Sequence, residues 1–197
     1  MKLRAKPRSL RPARRGSSTR QRTVSSVRRR DIVGEVSRTI AASPHGDLGV
    51  RLSQLARACI PDLGEMCIVD VVHDDGSVDR VDAWHVDPSH TESMRAMRGR
   101  FTPRPDHPLV AVIASGRPLL LRSLDDRDLA RIAKDATHLV LLRHFGPRSS
   151  MRVPVVLNGR TAAVVTFCAT EPSRRFTPAD LDLAKRIVAR FVTTVGE

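Results

Sequence analysis

The sequence predicts an α+β domain, and three observations carry that prediction. The stretch Arg148–Thr170, RSSMRVPVVLNGRTAAVVTFCAT, holds two β-rich runs separated by Asn158-Gly159, the dipeptide that best supplies the two positive-φ residues of a type I′ hairpin turn. Leu181, Ala184, Ile187, Val188, Phe191, Val192 and Val195 then form one broad apolar stripe at helical spacing. Between an earlier strand pair and the hairpin runs an excursion with helices of its own, longer than an ordinary connection.

In the hairpin, placing Leu157 and Arg160 beside the turn sets Val153 opposite Val164 and Val155 opposite Ala162. The run 162–169 is nearly apolar on both faces, as expected of a strand covered on both sides. The helix that follows starts well: Thr177 is a cap, Pro178 suits the first helical position, and Asp180 completes a capping-box spacing.

The 197 residues carry a formal net charge of +13, very unevenly placed. Residues 1–30 hold twelve Lys and Arg and no acidic residue, which leaves 22 basic against 21 acidic side chains in the remainder. A segment of one charge sign and low hydrophobicity cannot bury enough apolar surface to fold. Residues 1–30 therefore read as a disordered basic tail, and 31–197 as the folded domain. The tail is either a plain solvated segment, a start assigned too far upstream, or a weak non-specific contact for nucleic acid driven by counterion release. It lacks the interleaved aromatics that stack on bases.

Cys59, Cys67 and Cys168 are widely spaced and show no C-x-x-C pairing. That argues for a reducing compartment and against a zinc knuckle or disulfide framework. No apolar run approaches the length of a membrane span. Cytoplasmic is the expected location.

Along the chain, Ile32, Val33, Val36 and Ile40 are spaced as a first helix over 31–42, ended by Ser43-Pro44-His45-Gly46. Asp47 caps a second, with Leu48, Leu52, Leu55, Ala56 and Cys59 on its buried stripe. Met66–His73 and Val78–Val86 read as a strand pair around a turn at Asp74-Asp75-Gly76-Ser77. Alternation puts Cys67, Val69 and Val71 on one face and Ile68, Asp70 and Val72 on the other. Asp70 stands out as a carboxylate among apolar neighbours, and reads either as a structural partner for an arginine or backbone N–H, or as a site residue. The excursion then comprises a helix over Pro88–Gly99 with Met94 and Met97 inward, a proline-rich loop, a short helix over Leu109–Ala114, a third strand at Pro118–Arg122, and helices over Asp125–Ala133 and Ala136–Phe145.

The chemistry-bearing motifs of nucleotide-binding loops, zinc proteases and serine hydrolases are absent. None of the seven histidines pair at three or four residues on one helical face, so no metal site is expected. Enzymatic activity is not expected either, and no cofactor is identified.

An ordered set of stretches carries a family resemblance. These are Leu55-Ala-Arg with Ile60-Pro-Asp-Leu, Cys67-Ile-Val-Asp-Val, Gly116-Arg-Pro-Leu, Leu141-Leu-Arg with Gly146, Val153-Pro-Val-Val-Leu, and Phe176-Thr-Pro-Ala-Asp-Leu. Across about 31–195 the chain resembles a GAF domain of the kind found beside PAS domains, histidine kinases and phosphatases in bacterial signalling proteins. The resemblance implies an antiparallel-rich sheet of five or six strands in the order 2-1-5-4-3. Terminal helices would cover one face, and an inserted helical lid with a small-molecule pocket the other. The bilin-linking, cyclic-nucleotide and methionine-sulfoxide-reducing signatures of such domains are not matched.

On that geometry Ile68, Asp70, Ala83 and His85 face the insertion, and His107, Val110, Ile113, Arg143 and Met151 line the opposite wall, with Asp70 and Arg143 as orienting charges. The resemblance implies a sensory module in signal transduction that binds a small ligand or a partner such as a histidine kinase. The alternative is a nucleic-acid-associated regulator that uses its tail. The 3-4-3-4 spacing of Leu181, Ala184, Val188, Phe191 and Val195 further predicts a homodimer, or a heterodimer with a related kinase, seamed through the terminal helices.

Overall fold

Local chemistry sets most element boundaries. The computed structural model describes residues 32–36, 38–39 and 46–195. The basic segment 1–30, Ile40 and the Ser43-Pro44-His45 end of the first helix lie outside the described residues. Residues 32–36 and 38–39 are helical, with Ile32 and Val36 buried. Helix α1 (Leu48–Ala58) starts at Asp47, whose carboxylate accepts a 2.8 Å bond from the Val50 N–H and so satisfies a donor the helix leaves unpaired.

Strands β1 (Met66–Val72) and β2 (Val78–His85) pair antiparallel. The helix expected over Pro88–Gly99 is shorter. A 3₁₀ turn at Pro88–His90 leads into α2 (Thr91–Ala96), and β3 (Gly99–Phe101) then runs along the free edge of β2. Gly99 is the breakpoint: its φ of 121° is a conformation that glycine alone adopts readily. Met94 and Met97 are buried, as their spacing predicts.

Helix α3 (Pro108–Ser115) ends at left-handed Gly116, and β4 (Leu119–Leu121) follows. Helix α4 (Asp126–Ile132) is held by a capping box between Asp125 and Asp128, and α5 (Ala136–Phe145) is capped by Asp135. Strands β5 (Ser149–Leu157) and β6 (Arg160–Ala169) form the hairpin, with φ of 51° at Asn158 and 77° at Gly159, as a type I′ turn requires. Helix α6 (Pro178–Val195) opens with the Thr177 hydroxyl donating to Asp180 at 2.7 Å.

The six strands lie in the order β3-β2-β1-β6-β5-β4, every neighbour antiparallel. Leaving out the short edge strand β3, this is the 2-1-5-4-3 order of the α+β fold that the resemblance implies. Two β-bulges correct the expected registers. Leu157 does pair with Arg160, but an extra residue at Ala162 shifts the ladder, so that Val153 faces Val165 and Val155 faces Ala163. In β2, Val69 pairs with Asp82 and Asp70 with Arg80, which leaves Val81 as the extra residue. A bulge reverses the inside–outside alternation beyond it, so Arg80 joins Ala83 on one face although the two are three residues apart.

One sheet face carries Cys67, Val69, Met151, Val153, Val165 and Phe167 and packs against α1 and α6. Asp82, 1% exposed, ties this layer to β2 by accepting bonds from Arg57 and Arg98. The apolar stripe of α6 is spent here: Ala184, Val188 and Phe191 are 0%, 3% and 0% exposed. The expected dimer seam through these residues is thereby corrected. Each buried Leu, Val or Phe is worth roughly 1.5–3 kcal/mol, and α6 delivers that energy to its own sheet. The side chain of Val195 lies outside the described residues.

Candidate functional site

The opposite sheet face meets the excursion, and there the residues are polar as well as apolar. Alternation along four strands aims Ile68 and Asp70 of β1, Arg80 of β2, Thr166 of β6 and Arg152 of β5 at the same layer. Ile68, Thr166 and Arg152 are direct cross-strand partners in sequence across three strands. The excursion closes over them with Met97, His107 at the start of α3, Leu109, Ile132 of α4, and His138 and Leu142 of α5. The cavity between them measures about 20 Å³, room for about one water molecule.

The polar groups around it are deeply buried. Asp70 is 2% exposed, Arg80 6%, Arg152 4%, His107 6% and His138 5%. Asp70 forks onto Arg80, with Nε at 2.8 Å from one oxygen and Nη2 at 3.3 Å from the other, the bidentate geometry that suits a guanidinium to a carboxylate. Of its two sequence readings, the structural partner for an arginine is therefore realised. The Arg152 guanidinium makes one hydrogen bond among the described residues, 2.9 Å from Nη1 to Ser150 Oγ. Burial lowers its pKa, opposed by the nearby Cys168 and Asp70.

Both histidines have a fixed neutral tautomer. His107 Nδ1 accepts from the Leu109 N–H at 3.1 Å, and its Nε2 donates to the Ile132 carbonyl at 3.1 Å. His138 Nδ1 accepts from the Lys134 N–H at 3.1 Å, so the proton sits on Nε2, which is buried without a hydrogen-bond partner. Burial, reinforced by nearby arginines, pushes His107 down to about 3 and His138 down to about 4. Both are uncharged at neutral pH.

Of the residues expected to line a pocket, Ile68, Asp70 and His107 do so. Ala83 packs beside Ile68 in the same layer. Val110 is half-buried outside the cavity, and Ile113 instead borders an open cleft of about 440 Å³ beside Val72, His73, Gly116 and Val156. His85 stands away from the cavity against His90, Phe145 and Thr170. Two placements are corrected outright. Met151 shares the face of Val153 and Val155 and is buried under the terminal helices, as period-2 alternation demands once the valines face that way. Arg143 points outward and forks onto the exposed Asp126, with both bonds at 2.7 Å.

The charged pair facing the cavity is accordingly Arg80 and Arg152. Arg152 was recoverable from its position next to Met151 in the alternation, whereas Arg80 was concealed by the Val81 bulge. His138 carries no distinguishing local signal. The three thiols are buried, and burial raises the pKa of Cys59 and Cys67 and pushes that of Cys168 up to about 11. Among the described residues no group of three or more His, Cys, Asp or Glu side chains is arranged to hold a metal ion, and no helix is long and apolar enough to cross a membrane.

The sequence model of the GAF domain family matches residues 47–195. No curated protein matches the chain. Among solved structures, the GAF domain from a phosphoenolpyruvate-protein phosphotransferase of Coxiella burnetii superposes with a TM-score of 0.62 at 13% identity, covering 85% of this chain and 92% of that one. The phycoerythrobilin-bound GAF domain from a cyanobacterial phytochrome gives 0.61 at 14% identity, with 87% and 96% covered. Free methionine-R-sulfoxide reductase from Neisseria meningitidis, in complex with its substrate, gives 0.63 at 12% identity, with 88% and 93% covered. At these identities the likeness is one of fold.

Proposed function

The chain belongs to the GAF domain family, and on that premise we propose that it is a non-catalytic sensory module of signal transduction. It binds a small ligand in the cavity between sheet and excursion, and passes the bound state to a partner signalling protein such as a histidine kinase. The observation that supports this reading is a cavity lined by buried polar groups where an ordinary core would be apolar. Such groups are costly to bury, and a few convergent polar side chains in a concave apolar wall are the usual form of a small-molecule site. A non-catalytic role is favoured because the three thiols are buried with raised pKa values, the opposite of an activated nucleophile.

The cavity also sets a size limit. A cofactor as large as the bilin carried by the phytochrome relative needs several hundred Å³, so a cavity of this size suits only a compact ligand. With the apolar stripe buried, any assembly through α6 has to use its polar outward face, which includes Lys185, Arg186 and Arg190. A second reading, a nucleic-acid-associated regulator, draws on the twelve basic residues of 1–30 and requires that deleting them abolish nucleic-acid binding.

The test is a thermal-unfolding screen of the full chain against small metabolites that include anions, neutral compounds and cations. At least one class should raise the midpoint in the wild type and fail to do so in Leu142→Trp, which fills the cavity. A panel that leaves the wild-type midpoint unchanged throughout would overturn the ligand-binding reading.

A further inference from the structure

We infer that the cavity is an anion site, which takes a compact planar monoanion such as a small carboxylate against Arg152, with His138 as a hydrogen-bond donor. This deepens the ligand-binding reading above and rests on it.

Charge is the first argument. The cavity is bordered by two guanidinium groups and one carboxylate. The carboxylate of Asp70 is committed to Arg80 through both oxygens. Arg152 has only the Ser150 hydroxyl, forms no ion pair among the described residues, and is 4% exposed. A guanidinium does not shed its proton in a protein, so the layer holds one buried positive charge in excess. Burying a charge without a counter-charge is among the costliest arrangements in a folded protein, and an anion in the adjacent cavity relieves it.

The second argument is the direction of the hydrogen bonds. With His138 Nδ1 accepting from Lys134, the orphaned Nε2 can only donate. Arg152 also only donates. His107 has both ring nitrogens engaged, and Asp70 is taken by Arg80. The charged and ring groups left over at the cavity thus present donors, and the Thr166 hydroxyl on the lining can either donate or accept. An amine or a metal cation would meet like charge from Arg152, whereas an oxyanion can accept from both Arg152 and His138, which border the same cavity.

Size is the third. A space of about 20 Å³ holds about one water molecule as it stands, so only the smallest oxyanions come into question and the excursion must yield to admit one. Water would answer the unpaired N–H and not the unpaired charge. A two-oxygen planar anion answers both and matches the guanidinium fork. Its two partners lie on different layers, Arg152 on β5 and His138 on α5. An occupied site therefore ties the excursion to the sheet, which couples binding to the position of α5.

The experiment compares sodium formate with its neutral isostere formamide, and with sodium gluconate as a bulky anion at equal ionic strength. The readouts are the unfolding midpoint of the full chain and the ring N–H resonance of His138. Formate should raise the midpoint in proportion to the logarithm of its concentration once the site fills, and should shift the His138 signal. Formamide and gluconate should do neither. Arg152→Met should weaken formate binding by about tenfold to a hundredfold, the worth of a hydrogen bond to a charged group.

Should that variant not fold, the formate–formamide contrast on the wild type decides alone. Equal effects of formate and formamide would overturn the anion assignment while leaving a ligand-binding cavity. The same holds if formate is silent but a neutral or cationic compound of the wider screen binds. If nothing in either set binds, the ligand-binding reading falls with it.

Discussion

Removing the carboxylate of Asp70 should be among the most damaging single changes in the domain. Asp70 and Arg80 have side chains 3% and 6% exposed, with Nε 2.8 Å from Oδ1, so water does not screen them as it would a surface pair. Asp70→Ala leaves Arg80 without its counter-charge and adds it to the already unbalanced Arg152. Breaking a buried ion pair from one side costs about 3–5 kcal/mol, against a typical total stability of about 5–15 kcal/mol. The double variant Asp70→Val with Arg80→Met removes both charges and should recover most of that loss, because apolar groups of similar volume replace a buried pair at little cost. Urea unfolding monitored through Trp84, the single tryptophan, measures both, with an unchanged slope as the check that unfolding remains two-state. A loss below about 1 kcal/mol for Asp70→Ala, the range of an exposed pair, would refute the claim that this charge is held in a dry layer.

Two further outcomes are expected. His107 and His138 are held near 3 and 4 in the folded state, below the ordinary value of about 6.5. The unfolded chain therefore binds more protons between these values, so their contribution to stability is complete above pH 6.5 and declines as the pH falls towards 4. The slope should reach at most about 1.4 kcal/mol per pH unit for each, and a flat profile between pH 6.5 and 5 would contradict it. Phe191→Ala should cost about 3–5 kcal/mol, as for a large core side chain, with no change in oligomeric state by sedimentation. A folded, stable variant with an altered mass would restore the interfacial role expected from helix spacing alone.

How much of this was legible in the sequence depends on the range over which each feature is decided. Element identity is local. The Asn158-Gly159 turn, the Thr177–Asp180 cap, the Asp47 cap and the α5 boundaries all follow from backbone chemistry within a few residues, and each stands where the pattern places it. The strand order was readable as well, through the ordered set of stretches that carries the family resemblance.

What tertiary structure decided is which side of the sheet each residue serves. A bulge is a pairing event between two strands, and the extra residues at Val81 and Ala162 have no signature in their own strand. The first brought Arg80 to Asp70, and the second moved the hairpin register by one. His138 became a site residue only because α5 packs over the sheet, a contact between positions far apart in the chain. The apolar stripe of α6 poses the same problem: its spacing determines that it must be covered. Only the folded core, with Phe191 at 0% exposure, decides that its own sheet does the covering.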